Sequence, residues 1–169
     1  MGGIAKGYVV QDALQVLREQ GAPAAMVDAG GDLGLSEPPP GRTGWRIGIG
    51  TTDPKGPPRI YLCLSRTAVA TSGDMWQYVI IDGIRYSHIV DPRTGVGLTD
   101  HSTVTIVAAD GTTADALSTA VSVLGPEKGL QLVESIPGVA ACILRLHDGR
   151  PEIHESRTWR SLPIDTTAE

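Results

Sequence analysis

The segment Gln77-Tyr-Val-Ile-Ile-Asp-Gly-Ile-Arg-Tyr-Ser-His88 predicts a β-hairpin. Two runs rich in β-branched and aromatic residues flank Asp82-Gly83, a dipeptide that suits the mirror-image turns preferred in hairpins. The two strands of a hairpin are antiparallel, so this segment favours a sheet that is at least partly antiparallel.

Further strands and helices are predicted on both sides of this hairpin. Apolar residues at helical spacing predict a helix over residues 6–20, which Gly21 can end. Thr113 can cap a second helix that runs to about Leu124, and Gly125-Pro126 should break it before a third helix that ends near Ile136. The other predicted strands are residues 24–28, 45–49, 60–64, 104–108 and 139–144. About seven strands and three helices in mixed order predict an α+β fold with a mixed, mainly antiparallel sheet. We expect one domain over residues 1–163 and a polar, frayed tail over residues 164–169.

Composition excludes several classes of protein. The chain has 169 residues, of which 41% are hydrophobic, enough for a single domain with a core. Its formal net charge of −5 argues against a nucleic-acid partner. No apolar run approaches the roughly 20 residues that cross a bilayer, and the first residues lack the features of a signal peptide. Cys63 and Cys142 favour buried free thiols, with a disulfide left open.

Asp115 and Thr119 form the first candidate site. They are four residues apart in a predicted helix and therefore lie on one face of it. A carboxylate and a hydroxyl placed in this way can bind Mg²⁺, which prefers oxygen ligands. Alternatively, Asp115 stabilises the helix N-terminus electrostatically and Thr119 packs against apolar neighbours.

Three other segments are candidates for binding or catalysis. Gly2-Gly-Ile-Ala-Lys6-Gly7 opens the first helix, where N–H groups and a lysine can meet an anion. Ala70-Thr-Ser-Gly-Asp74 is predicted to be a loop of small residues, either close to a ligand or an ordinary turn. In Ser87-His-Ile-Val-Asp-Pro-Arg-Thr-Gly95, His88 is either a general base or an idle strand histidine, and Arg93 can simply pair with Asp91.

With Ala29-Gly-Gly-Asp32, these segments resemble motifs of the ApbE family of FAD:protein FMN transferases, in family order. The resemblance implies a Mg²⁺-dependent reaction in which FAD is cleaved and FMN passes to a Thr or Ser hydroxyl of an acceptor flavoprotein, releasing AMP. It implies that Asp115, Thr119 and a main-chain carbonyl near Gly3 bind the metal, and that His88 deprotonates or orients the acceptor hydroxyl. It implies that the FAD site is lined by Lys6, Asp32, Thr71, Ser72 and Gly73.

The sequence departs from this family in two places. Met75 and Trp76 stand where relatives have tyrosine and glutamate, and the N-terminal half of the family fold is expected to be missing. Relatives imply a location in the periplasm or on the outer face of the cytoplasmic membrane, with any anchor outside this chain. Two other functions remain open: a Mg²⁺-dependent FAD pyrophosphatase that yields free FMN and AMP, and a flavin-binding module without catalysis.

Overall fold

A computed structural model describes residues 2–50, 56–74, 77–147 and 150–166. The helices are α1 (Ala5–Glu19), α2 (Gly111–Glu134) and a short 3₁₀ helix (Trp159–Ser161). The strands are β1 (Met26–Asp28), β2 (Leu33–Leu35), β3 (Trp45–Ile49), β4 (Ile60–Leu64), β5 (Thr67–Gly73), β6 (Tyr78–Ile81), β7 (Ile84–Ser87), β8 (Val90–Asp91), β9 (Val96–Gly97), β10 (His101–Ala108), β11 (Ala140–His147) and β12 (Arg150–Glu155). No helix among the described residues is long and apolar enough to span a membrane.

The central element is a six-stranded sheet with strand order β1-β2-β5-β10-β11-β12. Each of its strand pairs is antiparallel. Two-stranded pairs β3-β4, β6-β7 and β8-β9 complete the described strands, and these pairs are antiparallel as well. The α+β class and the mainly antiparallel character are therefore confirmed.

The sheet separates two apolar cores because successive side chains of a strand point to opposite faces. On one face, Val104 and Ile106 of β10 pack with Val121 of α2. On the other face, Val107 packs with Leu62 of β4 and with other residues of the β3-β4 pair. Helix α1 lies against α2 and the β1-β2 edge, so both helices cover the same face of the sheet.

Helix α2 contains the predicted break. Gly125 has φ 76° and ψ 175°, outside the helical region, and Pro126 follows it. The second and third predicted helices are therefore two halves of α2. The predicted cap is wrong: the Asp110 side chain, rather than Thr113, caps α2 by accepting a hydrogen bond from the Thr113 N–H at 2.8 Å. Asp110 is one residue before the helix, where a cap must lie.

Two other expectations differ from the structure. The segment Ala70–Asp74 was predicted as a loop, but all of it except Asp74 belongs to β5, which is held between β2 and β10. The supposed frayed tail is paired at its start, since Ile164 bridges Leu62 and the Asp165 N–H donates to the Tyr61 carbonyl at 2.8 Å. Met75 and Trp76 lie outside the described residues.

Candidate active site

The first turns of α1 and α2 meet at a contact between two glycines. A Cβ on Gly7 would lie 2.0 Å from the Gly111 carbonyl oxygen, and a Cβ on Gly111 would lie 2.3 Å from that of Gly7. Only glycine permits main chains to approach so closely. This crossing brings two segments together that are more than 100 residues apart in the chain.

Asp115 lies directly at this crossing. Its side chain is buried, and its Oδ2 accepts a hydrogen bond from the Gly7 N–H at 3.0 Å. Among the described residues, no basic side chain forms an ion pair with it. A buried carboxylate without a cationic partner is costly, so this group fits a site that binds a cation.

Thr119 follows Asp115 by one helical turn and contacts the start of the chain. A Cβ on Gly3 would lie 2.9 Å from Thr119 Oγ1, so the Gly3 main chain is next to this hydroxyl. Thr119 and the Gly3 main chain are therefore in contact, and Asp115 lies one helical turn before Thr119 on α2. No group of three His, Cys, Asp or Glu side chains could hold a metal in the described part of the chain, so a cation here would depend on hydroxyl and main-chain oxygens besides Asp115.

Lys6 and Asp32 form an ion pair beside this group. Lys6 Nζ lies 2.9 Å from Asp32 Oδ2, and the lysine side chain is 46% exposed whereas the aspartate side chain is 4% exposed. Asp32 is held there by the turn between β1 and β2, where Gly30 and Gly31 adopt positive φ angles of 66° and 95°.

Burial is the main cause that raises the pKa of Asp32, and the negative charge of Asp115 raises it further. The Lys6 ammonium and the Thr71 N–H act in the opposite direction. Two buried carboxylates therefore interact across the site, and the lysine compensates only part of their charge. This excess of negative charge is a second reason why the site fits a divalent cation.

The end of β5 places Ser72 and Thr71 on opposite faces of the sheet. Ser72 Oγ lies 2.7 Å from Ser118 Oγ and 3.4 Å from Thr119 Oγ1, on the face covered by α2. Thr71 Oγ1 instead lies 3.1 Å from Thr105 Oγ1 on the neighbouring strand. The side chains of Thr71 and Ser72 therefore cannot line one pocket together, although the Thr71 N–H faces Asp32.

Known proteins match this chain over most of its length. The ApbE family model matches residues 1–144. The chain belongs to the ApbE family. The FAD:protein FMN transferase of Treponema pallidum is 38% identical over 156 residues, which cover 85% of this chain and 42% of that protein. The corresponding Vibrio cholerae protein is 35% identical over 156 residues, covering 90% of this chain and 46% of its own length.

Solved ApbE structures agree with the fold. The flavin transferase ApbE from Vibrio cholerae has a TM-score of 0.82 at 30% identity and covers 95% of this chain and 51% of its own. The ApbE protein from Thermotoga maritima has a TM-score of 0.80 at 39% identity, and the match covers 94% of this chain and 51% of that protein. The chain therefore spans about half the length of these relatives.

Among the described residues, the ApbE motif around His88 makes no hydrogen bond or ion pair with the residues at the crossing of α1 and α2. His88 is an exposed residue in the bend after β7, and its Nδ1 lies 3.1 Å from the Gln77 carbonyl oxygen. Because a carbonyl only accepts, Nδ1 is the donor in this hydrogen bond, which leaves Nε2 as the ring nitrogen that can accept a proton. Arg93 pairs with Asp91 through Nη2 and Oδ2 at 2.7 Å, as expected from the sequence.

Two residues were not assigned a role from the sequence: Asp74, directly after β5, and Ser118, in α2. Asp74 is buried and pairs with Arg85 of β7, with 2.7 Å between Oδ2 and Nε. The Arg85 guanidinium also stacks on the Tyr78 ring of β6, 3.4 Å from its centroid. These contacts attach the exposed β6-β7 hairpin, and with it His88, to the end of β5.

Ser118 is the second of these residues. It is fully buried between Ser72 and the main chain of Asp115. A serine inside an alanine-rich helical run gives no signal of its own in the sequence, because only the pairing of α2 with β5 shows what it contacts.

Proposed function

We propose that this chain carries the phosphate-facing part of a Mg²⁺-dependent FAD:protein FMN transferase. In this reaction the acceptor hydroxyl oxygen bonds to the FMN phosphorus of FAD, the phosphorus–oxygen bond to AMP breaks, and the hydroxyl proton passes to a base. The observation that carries the proposal is the convergence of Gly3, Lys6, Asp32, Ser72 and the Asp115 and Thr119 side chains at the crossing of α1 and α2.

Asp115, Thr119 and the Gly3 carbonyl would hold the Mg²⁺. Bound there, the ion would neutralise charge on the phosphates, which is its general role in phosphoryl transfer. The Gly7 N–H fixes Asp115 in position before any ligand arrives. Such preorganisation matters because a charge already held in place needs no rearrangement during the reaction.

Lys6 and the N-terminus of α1 would meet the phosphates of FAD. The N-cap residue of α1, Ile4, makes no capping hydrogen bond, and of the first N–H groups of the helix only that of Gly7 has a side-chain acceptor among the described residues, namely Asp115. The positive end of the helix and a half-exposed ammonium both favour an anion. Asp32 would hold Lys6 in place, and Ser72 and Gly73 would border the same region at the end of β5.

His88 would accept the proton of the acceptor hydroxyl. Its Nε2 lone pair suits a general base, and its exposure suits a substrate as large as a protein. The described hydrogen bonds of His88 are to Gln77 and not to the residues at the crossing of α1 and α2. Binding of the FAD phosphates and removal of the hydroxyl proton would therefore depend on separate parts of the chain.

Because the proposed metal site does not depend on His88, FAD pyrophosphatase activity is the second candidate function. In that reaction water attacks the FMN phosphorus in place of the protein hydroxyl. One assay separates the functions: the full-length protein is incubated with FAD, Mg²⁺ and a flavoprotein domain that carries a Thr acceptor. We expect AMP and covalent flavin in equal amounts. AMP with free FMN alone would support the pyrophosphatase, and FAD binding without AMP would support a binding module.

A pair of variants tests the metal assignment in this assay. Asp115→Asn removes the buried carboxylate, so AMP formation should fall to the level seen with chelator. Asp12→Asn changes an exposed carboxylate of α1 and serves as the matched control. AMP formation by Asp115→Asn at the rate of the control would contradict the assignment.

A further inference from the structure

A chain of three hydroxyl groups lies beside the proposed metal ligands. Ser118 Oγ lies 2.9 Å from the main-chain oxygen of Asp115, Ser72 Oγ lies 2.7 Å from Ser118 Oγ, and Thr119 Oγ1 lies 3.4 Å from Ser72 Oγ. We call these three side chains the hydroxyl chain. Ser118 is 0% exposed, so water cannot replace its partners.

The chemistry of the groups gives the hydroxyl chain a direction. A carbonyl oxygen only accepts, so the single hydrogen of Ser118 is donated to Asp115. Ser118 Oγ must then accept from Ser72, which uses the only hydrogen of Ser72. Ser72 Oγ can in turn accept the hydrogen of Thr119.

We propose that Ser118 is a positioning residue for the cation site, and this inference rests on the proposed function. By setting the direction of the hydroxyl chain, Ser118 sends the Thr119 hydrogen toward Ser72. The lone pairs of Thr119 Oγ1 are then left for a metal ion. In the opposite direction, Ser72 would donate to Thr119 and compete with the cation for the same oxygen.

Ser122 provides a matched control within the same helix. It is also buried, and its Oγ donates to a main-chain carbonyl one turn back, that of Ser118, at 2.8 Å. This hydrogen bond goes to the main chain, and the hydrogen bonds that link Ser118, Ser72 and Thr119 do not involve Ser122. Ser122→Ala therefore removes a similar buried hydroxyl and leaves the hydroxyl chain intact.

The test is a calorimetric titration of the whole chain with Mg²⁺, with urea unfolding of each variant measured in parallel. Ser118→Ala should weaken Mg²⁺ affinity about threefold to tenfold, the effect expected for one hydrogen bond. Ser122→Ala should stay within about twofold of the unmodified chain. Ser72→Ala removes the next link and should weaken affinity as Ser118→Ala does.

Each outcome decides one assignment. Equal affinities of Ser118→Ala and Ser122→Ala would overturn the role of Ser118 and leave the proposed function standing. If Ser118→Ala does not fold, normal Mg²⁺ affinity of Ser72→Ala overturns the same role. An affinity that Asp115→Asn does not change, or no Mg²⁺ binding by the unmodified chain, would overturn the metal site and this inference with it.

Discussion

Replacing Gly7 with alanine should destabilise the chain and disrupt the candidate site together. Inside an ordinary helix this change stabilises by about 0.5–1 kcal/mol, because glycine loses more entropy on folding. Here the new Cβ would lie 2.0 Å from the Gly111 carbonyl oxygen, whereas ordinary contact begins at 3.4 Å. The two helices must therefore separate by about 1.4 Å, the difference between these distances.

The size of the effect follows from what this separation removes. Overpacking against main chain costs about 1–3 kcal/mol. The hydrogen bond from Gly7 to the Asp115 carboxylate, 3.0 Å long, would be stretched beyond its range and lose about 1.5–3 kcal/mol. After the helix gain is subtracted, we expect a loss of about 3 kcal/mol, or roughly 6–12 °C in Tm for a chain of this size.

Urea unfolding, thermal unfolding and Mg²⁺ titration of Gly7→Ala measure this prediction. Gly2→Ala is the matched control, because a Cβ at Gly2 has no atom within 4 Å. The control should stay within about 0.5 kcal/mol of the unmodified chain. A Gly7→Ala variant as stable as the control, with normal Mg²⁺ affinity, would refute the argument that this glycine contact builds the site.

Three further variants test other parts of the structure. Asp32→Asn should stabilise the metal-free chain at pH 7. Burial raises the pKa of Asp32 in the folded chain above its ordinary value of 3.8, so the folded state loses stability as the pH rises from 3.8 through that raised pKa. Asparagine carries no charge and avoids this loss. Urea unfolding should show that the gain in free energy of unfolding becomes smaller toward pH 4. A variant less stable than the unmodified chain at pH 7 would contradict this prediction. Arg85→Met removes the guanidinium from buried Asp74, which keeps only His101 Nδ1 at 3.7 Å as an ion-pair partner among the described residues, and also removes the contact with Tyr78. This should cost about 2 kcal/mol and speed amide exchange in the β6-β7 hairpin, and Arg85→Lys should restore part of both. His88→Ala should slow flavin transfer about 10²–10⁴-fold and leave FAD affinity and stability unchanged, and an equal loss of FAD affinity would count against a role in proton transfer.

Local sequence signals predicted the elements whose residues settle their own conformation. The bounds of β3 and β4 were correct, and the hairpin around Asp82-Gly83 was correct to one residue at each end. In each case a run of residues with high strand propensity is bounded by turn residues, and this signal was sufficient even for β6, which is exposed throughout.

Elements that depend on distant neighbours were missed. In the Ala70 to Gly73 part of β5 only Thr71 belongs to a type that favours strands, and pairing with β10 makes this part a strand. β12 contains Pro151 and several charges, which hide its pairing with β11.

In the candidate site, too, local features could be predicted from the sequence and contacts between distant segments could not. Asp115 and Thr119 could be paired from helical spacing, but the contact of Gly7 with Gly111 and the hydrogen bond of Ser118 to Ser72 join segments far apart in the sequence. Short motifs identified these segments separately, and only the fold shows how they meet.

Anomalous diffraction from crystals of this chain soaked in Mn²⁺, a stand-in for Mg²⁺, tests the metal site most directly. We predict one anomalous peak bound by the Asp115 carboxylate, the Thr119 hydroxyl and the Gly3 carbonyl, and its loss in Asp115→Asn. A peak that remains in that variant, a peak elsewhere in the chain, or no peak at saturating Mn²⁺ would contradict the proposal that the crossing of α1 and α2 binds the catalytic cation.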